Sequence, residues 1–148
     1  MRKFGILAAA LAAIAVQPAI AQSGDEIGRI KNTTAGVTVE RSGRSTPARA
    51  GQRLYQRDVV TTARGARVGI TMADDTRMAI GPNSEVEFTQ YGYNRRSQTG
   101  SSTTTIRRGR VGIDSGNITR TGRDRMRVRT PTSTLGVRGT RFVVEVSE

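Results

Sequence analysis

The chain of 148 residues contains no cysteine and no histidine. The lack of cysteine excludes thiol catalysis, disulfide bridges, Cys-type zinc sites and a lipid-anchored lipoprotein. The lack of histidine removes the commonest general base and the commonest metal ligand. A serine nucleophile would need another activating base, and Lys31 lies in a polar segment that does not suit a desolvated lysine. The sequence therefore predicts a protein that is not an enzyme and binds no cofactor or metal.

Lysine and aromatic residues are scarce as well. Lys3 and Lys31 are the only lysines, tryptophan is absent, and aromatic residues make up 4% of the chain. The formal net charge of +12 is therefore carried almost entirely by arginine. Such an excess indicates acidic partners, although it can also reflect the coding bias of a genome. Nucleic-acid binding usually adds exposed aromatic side chains for stacking, so a nucleic-acid partner is not expected.

The first 21 residues have the layout of a secretory signal peptide. Arg2 and Lys3 form a positive start, residues 4–16 form an uncharged apolar run, and Ala19-Ile20-Ala21 offers a cleavage site after Ala21. The run is shorter than the roughly 20 residues of a membrane-spanning helix, so an uncleaved anchor and a buried core helix are the weaker alternatives. We expect a periplasmic or secreted protein with no stable membrane span after cleavage.

The remaining sequence predicts a polar tether at residues 22–34 and one all-β domain at residues 35–148. From Ala35 onward, apolar residues alternate with polar ones, which is the signature of half-buried strands. We expect a short-stranded, solenoid-like or rolled β domain, with a β-sandwich as the alternative. The residues predicted to share the buried faces are Val37, Val39, Val68, Ile70, Met72, Met78, Ile80, Val86, Phe88, Val111, Ile113, Met126, Val128, Phe142, Val144 and Val146.

Turn signals separate the predicted strands at residues 41–43, 73–76 and 81–84. Asp74-Asp75 is an adjacent acidic pair, which we interpret as a turn because a calcium loop requires further oxygen ligands. The polar segment from residue 91 to 105 is predicted to be an exposed loop, with strand only near residues 103–106. The other strand carboxylates are expected on outward faces, where a glycosidase-like pair is the weaker alternative: Glu40, Glu85, Glu87, Asp114 and Glu145.

Arginine is concentrated at residues 107–110 and again at residues 120–129. In the second segment arginine occupies alternate positions, which on a strand places the guanidinium groups on one face. Such a face can bind phosphate or carboxylate groups with two hydrogen bonds per arginine. The alternative is a solvated face whose charges pair with Glu85 or Glu87, or deter edge pairing. We call these four residues the arginine stripe: Arg123, Arg125, Arg127 and Arg129.

Several segments, taken in order, resemble the FecR domain family. They are residues 36–39, Leu54 with residues 58–62, residues 66–84, and residues 108–111 followed by 128–144. The resemblance covers roughly residues 36 to 146 and implies an all-β fold. Glycine permits turns that branched residues resist, and proline fixes an extended approach, so we interpret the last motif as structural and not as a ligand site. Its residues are Thr130, Pro131, Gly136, Arg138, Gly139, Thr140 and Phe142.

Two local departures from the family concern turns, because Arg57 and Asp75 stand where the family usually has glycine. A larger departure concerns architecture. Signalling members of the family have a cytosolic anti-sigma segment, a transmembrane helix and a C-terminal receptor-contacting domain. Here a predicted signal peptide stands in place of the anti-sigma segment, and the receptor-contacting domain is missing. This difference suggests a fragment or a minimal version of the family architecture. The transcription-regulating role therefore does not carry over intact.

Two functions follow as expectations. The first is an exported protein-interaction or sensory signalling module of the bacterial cell envelope, with another envelope protein or an acidic surface as its partner. The alternative is an envelope protein that binds a polyanion, such as a glycan or phosphate polymer. Both predict binding through the arginine stripe, whose attraction to anions weakens as salt is added.

Overall fold

Strands dominate residues 24–147, the part of the chain that the computed structural model describes. The predicted signal peptide lies outside these residues. Within them, no helix has the length and apolar character that a membrane crossing requires. The elements are β1 (Glu26–Thr33), β2 (Val37–Arg41), β3 (Arg44–Pro47), β4 (Arg53–Tyr55), β5 (Val59–Thr62), β6 (Val68–Met72), β7 (Arg77–Ile80), β8 (Glu85–Asn94), β9 (Thr99–Asp114), a 3-10 turn (Asn117–Arg120), β10 (Met126–Arg129), β11 (Thr134–Val137) and β12 (Arg141–Val146).

Strand β9 organises the fold because its two halves belong to two different sheets. Its first half pairs with β8 and, in parallel, with β10, while its second half pairs antiparallel with β7 and β12. The first sheet has the order β3-β2-β5-β8-β9-β10-β11 and the second the order β4-β1-β6-β7-β9-β12. Between the halves, Gly109 adopts a φ of +93°. The prediction of a rolled, all-β domain is confirmed.

One hydrophobic core lies between the two sheets. Val60, Val86 and Ile106 from the first sheet and Ile80 and Val111 from the second are all at most 1% exposed. Full burial of such an aliphatic side chain contributes about 1.5–3 kcal/mol relative to exposure. Nearly all the residues predicted to share the buried faces are buried; Phe142 and Val146 are partly buried and pack against the same cluster.

The predicted tether at residues 22–34 is wrong from Glu26 onward, because residues 26–33 form β1. Ile27 and Ile30 of this strand are 2% and 0% exposed and belong to the core. They are three residues apart, a spacing that regular alternation does not allow. Irregular registers between Glu26 and Gly28, and again between Ile30 and Asn32, accompany this spacing. A bulge shifts the inward face by one residue, so the period-2 pattern could not reveal this strand.

The predicted loop at residues 91–105 is also wrong, because this segment belongs to the long β8–β9 hairpin. Only residues 95–98 form the turn at its tip. Ser102, Thr103 and Thr104 are at most 7% exposed, since β8 and β10 flank them on both sides. This part of β9 is held by backbone hydrogen bonds to two neighbouring strands, so it needs little apolar surface of its own.

Candidate functional site

An ion pair between a partly exposed arginine and a buried aspartate joins β2 to the turn after β4. Asp58 is fully buried, and its two carboxylate oxygens accept hydrogen bonds of 2.7 and 2.6 Å from Nε and Nη2 of Arg41. The guanidinium group lies 4.4 Å from the ring centroid of Tyr55. The hydrogen bond that Arg41 donates to Asp58 raises the pKa of Arg41. The backbone N–H of Tyr55 also donates a hydrogen bond to Asp58. The carboxylate of Asp58 therefore stabilises the turn.

The predicted Asp74-Asp75 turn is confirmed, and it forms a second buried polar centre. Asp74 is fully buried and accepts hydrogen bonds from the hydroxyl of Thr76 at 2.7 Å, the hydroxyl of Tyr91 at 2.9 Å and the backbone N–H of Ile118 at 3.2 Å. Burial, followed by the charge of Asp74, raises the pKa of Tyr91. These contacts tie the β6–β7 turn to β8 and to the 3-10 turn. The carboxylate therefore has a structural role.

The first arginine concentration is neutralised by acidic residues on neighbouring strands. Arg107 bridges Glu85 and Glu87 at 2.7 and 2.6 Å, and the hydrogen bond that it donates to Glu85 raises the pKa of Arg107. Arg108 lies 3.7 Å from Glu85. Both glutamates thus pair with arginines of β9, so the alternative in which they pair with the arginine stripe is wrong.

The arginine stripe runs along the turn before β10 and along β10 itself. Arg127 and Arg129 lie on the strand, whereas Arg123 and Arg125 precede it. All four side chains are exposed. No ion pair to any of them is found among residues 24–147. The four residues therefore do not all lie on one strand. Their positive charges are nevertheless not paired with acidic side chains of the described residues.

A shallow polar groove lies against three of the stripe residues, namely Arg123, Arg125 and Arg127. Its opposite wall comes from the β8–β9 hairpin, where Thr103 is the direct neighbour of Arg127 across the β9–β10 pair. The sequence does not indicate these hairpin residues, because the polar composition of residues 91–105 predicts a loop. The remaining residues that line the groove are Gln90, Ser101, Ser102 and Asp124.

The residues of the family motif shape the turns around β11 and the start of β12. The hydroxyl of Thr130 accepts a 3.0 Å hydrogen bond from the N–H of Ser133, which closes the turn that contains Pro131. Gly139 has a φ of +55°. The N–H of Thr140 donates a 2.8 Å hydrogen bond to the hydroxyl of Ser115.

The other three motif residues play different parts. Gly136 leaves room for the carboxylate of Asp124, because a Cβ at this position would clash with it. Phe142 is partly buried and packs against the core. Arg138 is exposed, and no ion pair to it is found among residues 24–147. The contacts of Thr130, Gly136 and Thr140 lie within the fold and agree with a structural motif, which stays a prediction.

Acidic side chains are too dispersed to form a metal centre in the described part of the chain. No group of three or more histidine, cysteine, aspartate or glutamate side chains that could hold a metal ion is found among residues 24–147. Of the strand carboxylates, Asp114 pairs with Arg141 and Glu145 pairs with Arg110, each at 2.9 Å. The chemistry best represented on the described surface is therefore that of unpaired guanidinium groups.

Fold and surface together define an all-β rolled domain that presents an unpaired arginine stripe. The family described as "FecR protein" matches residues 58–148. The chain therefore belongs to the FecR family. A solved structure titled "Cell surface anchoring domain" is 31% identical over 45% of this chain and 88% of its own, with a TM-score of 0.43. No match was found among curated proteins.

Proposed function

We infer that this protein is an exported, non-enzymatic interaction module of the cell envelope, in which the arginine stripe receives an acidic segment of a protein partner. Membership of the FecR family supports an envelope role, and the predicted leader at residues 1–21 supports export. The observation that carries the proposal is the unpaired charge of the stripe. Two further features support recognition of such a partner: the polar groove beside the stripe and the open edge of β11.

The electrostatic step uses the guanidinium groups beside the groove. Arg123, Arg125 and Arg127 are exposed and face polar groups of the β8–β9 hairpin. A carboxylate that enters this groove can accept two parallel hydrogen bonds from one arginine. On the opposite wall the hydroxyl of Ser101 accepts a hydrogen bond from the amide of Gln90 and keeps its own proton to donate to the ligand. Attraction over longer distances speeds encounter with an acidic partner, and added salt reduces this effect.

The second step uses the strand edge next to the stripe. Strand β11 pairs with β10 on one side only, and no strand among residues 24–147 pairs with its other side. Leu135 on this edge strand is 43% exposed. An extended partner segment can add to such an edge through backbone hydrogen bonds, place an apolar side chain against Leu135, and leave its acidic side chains near the stripe.

Binding of a glycan or phosphate polymer is the second candidate, and the same unpaired stripe favours it. A polyanion would use the guanidinium groups alone and would gain nothing from the β11 edge. The two candidates therefore differ in how they respond to salt and to the loss of Leu135. In the genome, a neighbouring gene for a sigma factor or a TonB-dependent receptor would favour the signalling role.

The test compares three variants of the purified protein in two binding assays. One assay measures co-sedimentation with phosphatidylglycerol vesicles, and the other measures photo-crosslinking to envelope proteins from a site placed on β11. The variants are Arg125→Ala with Arg127→Ala, Leu135→Ser, and the control Arg44→Ala with Arg64→Ala, which removes the same charge from exposed positions elsewhere.

A protein partner predicts a crosslink that survives moderate salt and is lost in both the stripe variant and Leu135→Ser. A polyanion ligand predicts vesicle binding that falls steeply with salt, is lost in the stripe variant and is unchanged in Leu135→Ser. If the control lowers binding as much as the stripe variant does, binding follows net charge and the stripe is not a site.

A further inference from the structure

The C-terminal strand β12 is an open edge of the second sheet, and its outward face is self-complementary. The strand pairs with β9 on one side, and no strand among residues 24–147 pairs with its other side. Arg141, Val143 and Glu145 alternate along it. Val143 is 64% exposed, although valine is among the residues most often buried. An exposed edge of this kind is a template for pairing with another chain.

The hydrogen-bonding groups of the edge can be assigned from the register. The backbone C=O of Thr140 accepts a hydrogen bond from Ser115 of the adjoining segment, and in an antiparallel pair the bonded residues alternate. Phe142 and Val144 therefore direct their N–H and C=O groups towards β9. Arg141, Val143 and Glu145 direct theirs away from the sheet, towards whatever lies beyond the edge.

We propose that two copies of this chain associate through β12, as antiparallel strands related by a two-fold axis at Val143. In this register Val143 faces Val143 of the second copy, and Arg141 faces Glu145 in both directions. The three residues with outward backbone groups on each copy are then paired along the whole edge. Closed two-fold contacts between identical patches are the commonest form of soluble oligomer.

The charges select this arrangement over its alternatives. Within one copy, Arg141 pairs with Asp114 and Glu145 pairs with Arg110, each at 2.9 Å on the outward face. Antiparallel association extends the two pairs into two equivalent rows of alternating sign, and in each row Asp114 and Arg141 of one copy meet Glu145 and Arg110 of the other. Parallel association would instead place like charges side by side, which is unfavourable.

Small residues cover the outward face of the second sheet next to the β12 edge. Val143 is followed across the sheet by Gly112, Ala79 and Gly69 in directly paired positions. These residues have little or no side chain, and they line a shallow apolar depression that includes Val143. The two valines therefore meet without a bulky neighbour that would tilt one sheet away from the other.

The test is a charge exchange followed by sedimentation of the purified protein. The wild-type chain is expected to be a dimer. The Arg141→Glu variant carries two acidic positions on the edge and the Glu145→Arg variant two basic ones, so each alone is expected to lose dimerisation. An equimolar mixture of the two variants is expected to recover it as a heterodimer, because opposite charges again face one another.

Two further variants separate edge pairing from other causes. Val143→Pro removes an outward N–H while leaving the bonds between β12 and β9 in place, so it is expected to abolish the dimer without loss of the far-ultraviolet strand spectrum. Arg44→Glu makes the same charge change on the edge strand β3 and is expected to leave the dimer intact. A monomeric wild type, dimers that persist in both charge variants, or a mixture that stays monomeric would each overturn the proposal.

Discussion

The hydroxyl of Tyr91 donates a 2.9 Å hydrogen bond to a carboxylate oxygen of the buried Asp74 and accepts one of the same length from the backbone N–H of Asp74. This reciprocal contact joins β8 of the first sheet to the β6–β7 turn of the second. It is therefore a polar link between the two sheets, and it is made by a fully buried carboxylate and a partly buried phenol.

Replacing Tyr91 with phenylalanine is expected to destabilise the fold by about 2 kcal/mol, because it leaves a buried charged acceptor and a backbone donor without this partner. The measurement is the free energy of unfolding from urea titration. Tyr93→Phe is the matched control, since no hydrogen bond to the Tyr93 hydroxyl is observed among residues 24–147, and it is expected to change stability by less than about 0.5 kcal/mol. Equal effects from both variants would contradict the structural role of the Tyr91 hydroxyl.

The same link predicts a loss of stability at alkaline pH. Burial, together with the charge of Asp74, raises the pKa of Tyr91, while the same side chain in the unfolded chain ionises near pH 10. The contribution of the Tyr91 hydroxyl to the free energy of unfolding is therefore complete below about pH 10. Above that pH it declines by up to about 1.4 kcal/mol for each pH unit. Urea titrations above pH 10 should show the wild type losing its advantage over Tyr91→Phe. An advantage that stays constant with pH would show that the phenol ionises equally easily in both states.

Most of the fold could be predicted from the sequence because the strands around the core alternate regularly. Val68, Ile70 and Met72 show this, since all three are buried where the pattern places them. The two failures have a physical cause. The irregular register of β1 puts Ile27 and Ile30 on one face at a spacing of three residues, and the hairpin half of β9 is stabilised by hydrogen bonds to two neighbouring strands in a segment with almost no apolar residue.

The candidate site could be predicted only in part. Alternate spacing identified the arginine stripe, but the turn before β10 separates Arg123 and Arg125 from the strand. The opposite wall of the groove could not be found, because no local pattern shows that Gln90 and Ser101 lie beside Arg125. The pairing of Glu85 and Glu87 with Arg107 likewise depends on the register of β8 and β9.

Arg57 has a φ of +70°, at the position where the resemblance implies glycine. An L-residue in this left-handed region costs about 1–2 kcal/mol, and the side chain is exposed. Arg57→Gly is therefore expected to stabilise the fold by about 1 kcal/mol after the entropy cost of glycine is subtracted. Arg64→Gly is the control, because that exposed turn residue does not have a positive φ, and it is expected to destabilise. Thermal unfolding midpoints that move in the same direction for both variants would contradict this account.

Gly109 is where β9 passes from one sheet to the other, and substitution there should affect the whole fold. Its φ of +93° disfavours any side chain, and a Cβ would lie 2.5 Å from Cα of Ser84. Ser84 cannot retreat easily, because it is fully buried and its hydroxyl accepts a hydrogen bond from the N–H of Arg110. Gly109→Ala is therefore expected to cost more than about 3 kcal/mol, since strain and a steric clash act together.

Gly112 on the same strand gives the matched control. A Cβ at this position would lie 3.9 Å from the nearest atom, the backbone oxygen of Ala79, and its φ is not in the left-handed region. Gly112→Ala is expected to change the free energy of unfolding by less than about 0.5 kcal/mol. Gly109→Ala is expected to unfold at a lower urea concentration than Gly112→Ala. Equal concentrations would mean that β9 does not depend on a left-handed residue at its bend and that Ser84 can move to admit a Cβ.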